Sequence, residues 1–138
     1  MATPLITYQP VSESDFDALV QLRIEAMRAS LEHVGRFDPA RARDRLKRTF
    51  QPSATEWIMC DGEKSGFYAM RKIDGRYSLD HLYVHPRFQR RGIGSQVLSG
   101  LKARAQGEGM MVIVGALRGS DSNRFYQREG FTKTSEDE

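Results

Sequence analysis

Leu82-Tyr83-Val84-His85-Pro86-Arg87-Phe88-Gln89-Arg90-Arg91-Gly92-Ile93-Gly94-Ser95 is the stretch that decides the fold of this chain. An extended segment stops at a proline, a loop of arginines and glycines follows, and Ile93, Val97, Leu98 and Leu101 then recur at helical spacing towards Gln106. A helix that begins after such a loop binds anions. Its first amide hydrogens lack partners within the helix, and the aligned peptide dipoles add partial positive charge. Gly92 and Gly94 let the backbone approach a ligand closely, and Arg87, Arg90 and Arg91 supply forked donors for phosphate oxygens. The spacing is neither the three-glycine dinucleotide fingerprint nor the Gly-Lys-Ser/Thr nucleoside triphosphate loop. Gln-x-x-Gly-x-Gly over Gln89 to Gly94 suits a pyrophosphate. The plainer alternative is a glycine-loosened turn with solvated arginines.

Working outward, Arg76 to Val84 reads as the strand that feeds this loop, with Pro86 as its stop. Before it, Thr55 to Cys60 and Lys64 to Ile73 read as hairpin partners across Asp61-Gly62, and Asp74-Gly75 repeats the two-residue turn. Leu5 to Tyr8 alternates weakly as a strand. Ser12-Glu13-Ser14-Asp15 offers a cap for a helix with apolar Phe16, Leu19, Val20, Leu22, Ile24 and Met27, ending near Gly35. Asp38-Pro39 opens a second helix that runs to about Phe50. Downstream, Met110 to Leu117 reads as a short buried strand, Ser120 to Ser122 caps a helix through Glu129, Gly130 closes it, and Phe131 starts a last strand. The order β-α-α-β-β-β-α-β-α-β predicts an α/β (α+β) architecture, a mixed sheet with helices on its faces.

At 138 residues, 39% hydrophobic and 28% charged, with no repeat or low-complexity stretch, the chain fits one globular domain over 1–138. The longest uncharged apolar run, Met110 to Leu117, is far shorter than the roughly 20 residues that span a bilayer. The N-terminus lacks a basic segment followed by an apolar one, so a cytoplasmic location with no membrane partner is expected. One cysteine, Cys60, excludes an internal disulfide and a multi-cysteine zinc cluster, and it reads as a small buried apolar residue. A net charge of +3 is too small for a dedicated nucleic-acid binder. The basic run Arg41 to Arg48 reads first as a solvated helix face, and second as a site for an acidic acceptor or nucleic acid.

Gln89-Arg-Arg-Gly-Ile-Gly94 resembles the acetyl-coenzyme A signature of the GNAT superfamily of N-acetyltransferases, Gln/Arg-x-x-Gly-x-Gly/Ala between the fourth strand and third helix. Asn123-Arg-Phe-Tyr-Gln-Arg-Glu-Gly-Phe131 resembles the family's late helix and following strand, and the element order agrees over Leu5 to Phe131. The resemblance implies a mostly antiparallel GNAT sheet and acetyl-coenzyme A as co-substrate. It implies that the pantetheine arm pairs with backbone near Leu82, Tyr83 and Val84, that Gln89, Arg90, Arg91, Gly92, Ile93, Gly94 and Ser95 hold the pyrophosphate, and that Asn123 faces the cofactor. A splayed gap between the fourth and fifth strands would take the thioester. The final strand would be short, and the sheet edge so exposed predicts a homodimer.

By the same resemblance, the reaction is acetyl transfer to a primary amine of a small molecule or protein by direct attack in a ternary complex. The alternative is an acyl-coenzyme A sensor or partner module without turnover. Tyr126 matches the family's tyrosine at the leaving sulfur, and a phenol of pKa near 10 is protonated at neutral pH and able to donate. The other reading of Tyr126 is a packing residue between helix and sheet.

By period-two alternation Ser78, Asp80, Leu82 and Val84 share one face, which turns Asp80 towards the acceptor as base, directly or through water, and His81 away from it. Some members keep a Glu near the position of Ser78. Asp80 reads equally as a structural hydrogen-bond acceptor. His81 and His85 stand about 13 Å apart on a strand, too far to share a metal, so no metal is expected. Arg28, Glu32, Arg36, Phe37 and Asp38 would border the acceptor pocket.

Overall fold

A computed structural model of the chain describes residues 5–33, 39–89 and 91–114. In order these form β1 (Ile6–Pro10), α1 (Phe16–His33), α2 (Pro39–Thr49), β2 (Thr55–Cys60), β3 (Glu63–Ile73), β4 (Arg76–Val84), α3 (Ile93–Gly107) and β5 (Val112–Val114). Short 3-10 turns precede α1, β2 and α3. The sheet order is β1-β2-β3-β4-β5, antiparallel through β4, with β5 parallel to β4. This is the mixed, mostly antiparallel sheet expected. The predicted late helix and last strand lie outside the described residues.

Local chemistry explains the boundaries. Asp61 and Asp74 have φ of 51° and 50°, and the glycines that follow them, Gly62 and Gly75, have 86° and 76°. Both Asp-Gly pairs thus take the primed turn whose twist matches antiparallel strands. Before α1, the Ser12 amide donates to Asp15 Oδ2 at 3.0 Å, and that bond is the main reason the Asp15 carboxyl titrates below its ordinary value. Gly92 stands at the N-cap of α3 with φ of 76°.

Two cores flank the sheet. Under α3, Ile93, Val97, Leu98, Leu101 and Ala105 pack on Ile58, Cys60, Tyr68, Met70, Tyr77 and Leu79. On the other face, Leu19, Val20 and Leu22 of α1 and Leu46 of α2 meet Trp57, Met59 and Phe67. Cys60 is 2% exposed within the first core, as a small apolar residue would be. The expectation of a buried strand from Met110 holds on one face only. Met110, Val112 and Val114 pack against the α3 core, while Met111 is 70% exposed and Ile113 41% on the other face, which no described element covers. Among the described residues no helix is long and apolar enough to cross a membrane.

Two bulges interrupt the pleat. The first leaves Ser65 between Lys64↔Met59 and Gly66↔Ile58, its hydroxyl bonded to the Ile58 carbonyl at 2.9 Å. The second leaves Asp80 between Leu79↔Met70 and His81↔Ala69. An unpaired residue in one strand resets the alternation beyond it.

Candidate active site

The bulge at Asp80 corrects the face assignment of β4. Leu82 and Val84 pack with Tyr77 and Leu79 against the α3 core, whereas Ser78, alternating with those two, looks to the opposite layer. Asp80 stays with Ser78: its carboxylate accepts from Ser78 Oγ at 2.9 Å, from Arg71 Nε, and from Arg71 Nη2 at 3.2 Å. His81 pairs across the sheet with Ala69 and lies on that same layer, beside Phe67 and Tyr83. Thus Asp80 and His81 face α1 and α2 together, and Asp80 does not share a face with Leu82 and Val84. Uninterrupted alternation would have required the reverse.

Among the described residues the end of β4 has one flank that no strand pairs. His85 N–H donates to the Ser65 carbonyl on β3 at 2.7 Å, so the preceding Val84 carbonyl points away from β3, and by alternation the backbone groups of Leu82 do too. Among the described residues no strand pairs with that flank, since β5 meets β4 only at Tyr77, Ser78 and Leu79. The side chain of Gln89 folds back and donates Nε2 to the Val84 carbonyl at 2.8 Å. The first residue of the glycine motif therefore ties the loop to the strand end.

Phe88 anchors the loop from below. It is 5% exposed in the α3 core, with the guanidinium of Arg87 5.1 Å and that of Arg91 5.4 Å from its ring centre. Arg87 also reaches Glu63 at 3.3 Å, while Arg91 stays exposed at the mouth of α3. The Gly92 carbonyl accepts the first helical bond, from Gln96 at 3.0 Å. The amides of Ile93, Gly94 and Ser95 are the first-turn donors that a helix leaves without internal acceptors. Ile93 itself is buried, which fixes where these amides point. Arg90, Asn123 and Tyr126 lie outside the described residues.

Facing α1, a polar network surrounds the middle of β4. His81 Nε2 is 2.9 Å from Thr49 Oγ1, and its Nδ1 is 3.5 Å from the Tyr83 hydroxyl. Arg23 Nε donates to that hydroxyl at 3.0 Å, and its Nη1 donates to the Ala42 carbonyl. Burial, reinforced by Arg23, pushes the His81 imidazole down to about 3, so it is neutral at physiological pH. At the strand end, His85 Nε2 is 2.5 Å from Glu25 Oε2 and its Nδ1 accepts from the Arg87 amide at 3.1 Å. None of Thr49, Arg23 or Glu25 stood out in the sequence. Arg23 had one signal, a charge four residues after Leu19 on a stripe otherwise apolar.

A separate cavity of about 650 Å³ opens at the far end of the sheet, lined by Val11, Glu56, Tyr68, Tyr77 and Arg104 among others. It contains no residue expected in the site. Tyr68 there donates to Glu56, and burial with that bond raises the phenol above its ordinary range. No group of three or more metal-ligating side chains occurs among the described residues.

Comparison with known proteins agrees with this architecture. No curated protein sequence matches the chain. Among solved structures it resembles PaiA N-acetyltransferase from Thermoplasma acidophilum in complex with coenzyme A, at 17% identity and a TM-score of 0.71, covering 96% of this chain and 93% of that one. It also resembles ribosomal-protein-alanine N-acetyltransferase from Brucella melitensis biovar Abortus 2308, at 17% identity and a TM-score of 0.66, over 97% and 96%. N-acetylglutamate synthase from Neisseria gonorrhoeae, complexed with coenzyme A and N-acetyl-glutamate, matches at 19% identity and a TM-score of 0.65, over 95% of this chain but 29% of that larger one. At such identities the likeness speaks for the fold. Residues 52–133, which include β2 to β5 and the whole glycine loop, match the acetyltransferase (GNAT) domain, and the chain belongs to that family.

Proposed function

We propose that this chain transfers the acetyl group of acetyl-coenzyme A to a primary amine by direct attack in a ternary complex. The observation that carries the reading is the junction of β4 and α3. A strand end with one flank that no described strand pairs, a Gln89 side chain holding that end, and a left-handed Gly92 opening a helix lie in succession. In this reading the first amides of α3, with Arg90 and Arg91, take the pyrophosphate. The pantetheine arm runs along that flank of Leu82 to Val84, where the Val84 carbonyl is already taken by Gln89 and the remaining backbone groups supply the pairing. Coenzyme A bound to the solved structures it resembles supports acetyl-coenzyme A as the co-substrate.

The chemistry then needs few groups. The neutral amine attacks the thioester carbonyl, a C–N bond forms, the C–S bond breaks and the thiolate takes a proton. Tyr126 is the proposed donor to the sulfur, and Asn123 a proposed contact to the arm. Asp80 is the proposed acceptor of the amine's proton through water. Its two oxygens offer about four lone-pair directions, and the three bonds from Arg71 and Ser78 leave one open. Holding amine and thioester together supplies much of the acceleration.

Titration calorimetry with acetyl-coenzyme A, followed by thiol release against amines, peptides and polyamines, tests the proposal. Binding with release for one class of amine is the expected result. Binding without release from any of them points to an acyl-coenzyme A sensor, and no binding overturns the site.

A further inference from the structure

Arg23 is a buried cation whose counter-charge is missing from the described part of the site. It is 4% exposed, yet the groups that meet its guanidinium there are neutral: the Tyr83 hydroxyl, the Ala42 carbonyl and the Tyr83 ring, 5.4 Å away. Buried charges in proteins are ordinarily paired, because removing one from water carries a penalty that neutral partners only partly return. Among the described residues the nearby acids are committed elsewhere or stand outside. Asp17 holds Arg43, Glu25 holds Gln21 and His85, Asp80 holds Arg71, and Asp44 is exposed on α2. Further positive charge gathers on the same side. Arg41, Arg45 and Arg48 fall on one stripe of α2, and burial with repulsion from Arg41, Arg23 and Arg48 holds the Arg45 guanidinium below its ordinary value.

This cluster stands over Tyr83, which sits between the two residues whose backbone flanks the proposed coenzyme arm. We propose that the acceptor carries a carboxylate beside its amine, and that Arg23, supported by Arg45, receives it through Tyr83 and thereby aims the amine at the thioester. The inference rests on the acetyl-transfer reading for its chemistry, while the anion site rests on Arg23 and its neighbour Arg45 and does not need that reading. A carboxylate reaching it supplies the counter-charge that the described residues do not, beside an arginine that is 4% exposed, so it is worth far more than the same pair at the surface. Arg23 is a specificity residue in this scheme, with no part in proton transfer.

Matched acceptors test it: glycine, β-alanine and glycylglycine against glycinamide, β-alaninamide and glycylglycinamide. The wild-type chain should prefer the carboxylate of each pair by at least tenfold in kcat/KM, and Arg23→Met should bring that ratio close to one while acetyl-coenzyme A affinity holds. A ratio near one in the wild type, or a preference unchanged in Arg23→Met, overturns the proposal. Should Arg23→Met not fold, the more accessible Arg45→Gln should raise KM for the carboxylates several-fold with kcat nearly unchanged, and no rise overturns it. A second readout does not depend on turnover. With coenzyme A saturating, the carboxylates should raise Tm of the wild type and the amides should not. That shift without thiol release from any amine would keep the anion site and overturn the transfer reading; equal shifts from acids and amides overturn the anion site itself.

Discussion

Gly66 lies directly beneath the carbonyl of Tyr83, so closely that a Cβ at position 66 would stand 2.1 Å from that oxygen. The contact crosses from β3 to the strand that carries the proposed cofactor flank. Backbone cannot swing aside as a long side chain can. Gly66→Ala should therefore cost about 3 kcal/mol or more of stability, at the upper end of overpacking effects, measured by urea denaturation. An alanine variant within about 0.5 kcal/mol of wild type would show that β3 and β4 slide apart freely.

Gly92 tests the phosphate cradle. Nothing lies within 4 Å of a Cβ built there, so the space is open, but its φ of 76° strains any side chain. Gly92→Ala should lose about 1 kcal/mol of stability through that strain. Gly92→Asp, adding a negative charge where a pyrophosphate is proposed, should abolish acetyl-coenzyme A binding in calorimetry. Equal affinities for wild type and Gly92→Asp would place the cofactor elsewhere.

Tyr126→Phe should lower kcat at saturating acceptor about 10- to 100-fold, as loss of a proton donor does, and leave coenzyme affinity within twofold. An unaltered kcat would make the phenol a packing group.

Asp80→Asn separates a base from a brace. If the carboxylate takes the amine's proton, the acid limb of the pH–rate profile should move or vanish in the variant. An unmoved limb accompanied by a stability loss of about 1–3 kcal/mol would assign Asp80 to the Arg71 pair it makes across the bulge.

His81 makes a prediction about acid stability. Its folded value, about 3, lies below the ordinary 6.5, so the unfolded chain binds a proton that the native one refuses. Above pH 6.5 this has no effect; as pH falls towards 3 stability is lost at about 1.4 kcal/mol per unit. Between pH 7 and pH 5 the wild type should lose about 2 kcal/mol more than His81→Asn, whose amide keeps a polar partner for Thr49. Parallel losses in the two proteins would show that water reaches the imidazole.

Local chemistry made much of this fold legible in advance. Thr55 to Cys60 and Arg76 to Val84 emerge with the boundaries read from their β-branched and aromatic content, because Asp-Gly turns and Pro86 punctuate them. The α3 junction was legible for the same reason, through its glycines and apolar spacing. What escaped was whatever depends on contacts distant in sequence. Alternation presumes an unbroken pleat, and no residue type in Leu79-Asp80-His81 announces a bulge, which arises from the register of β3. Arg23 escaped because its meaning depends on Tyr83, 60 positions away. The exposure of Met111 depends on what covers the strand, which an apolar run does not reveal.

The extra residue at Asp80 acts as a change of parity in β4. Replacing it would disturb an ion pair, and deleting it would restore a regular pleat with every following residue still on its present side, because Leu79↔Met70 and His81↔Ala69 are already consecutive pairs; a paired residue inserted after His81 would instead reverse the sides of Leu82, Tyr83 and Val84. Tyr83 would then turn into the layer under α3, and Leu82 and Val84 would meet Arg23. The pairing beyond Asp80 thus keeps Tyr83, beside Arg23, and the core-packed Leu82 and Val84 on opposite sides of a single strand, and β4 should tolerate the loss of residue 80 far better than an added residue beyond it.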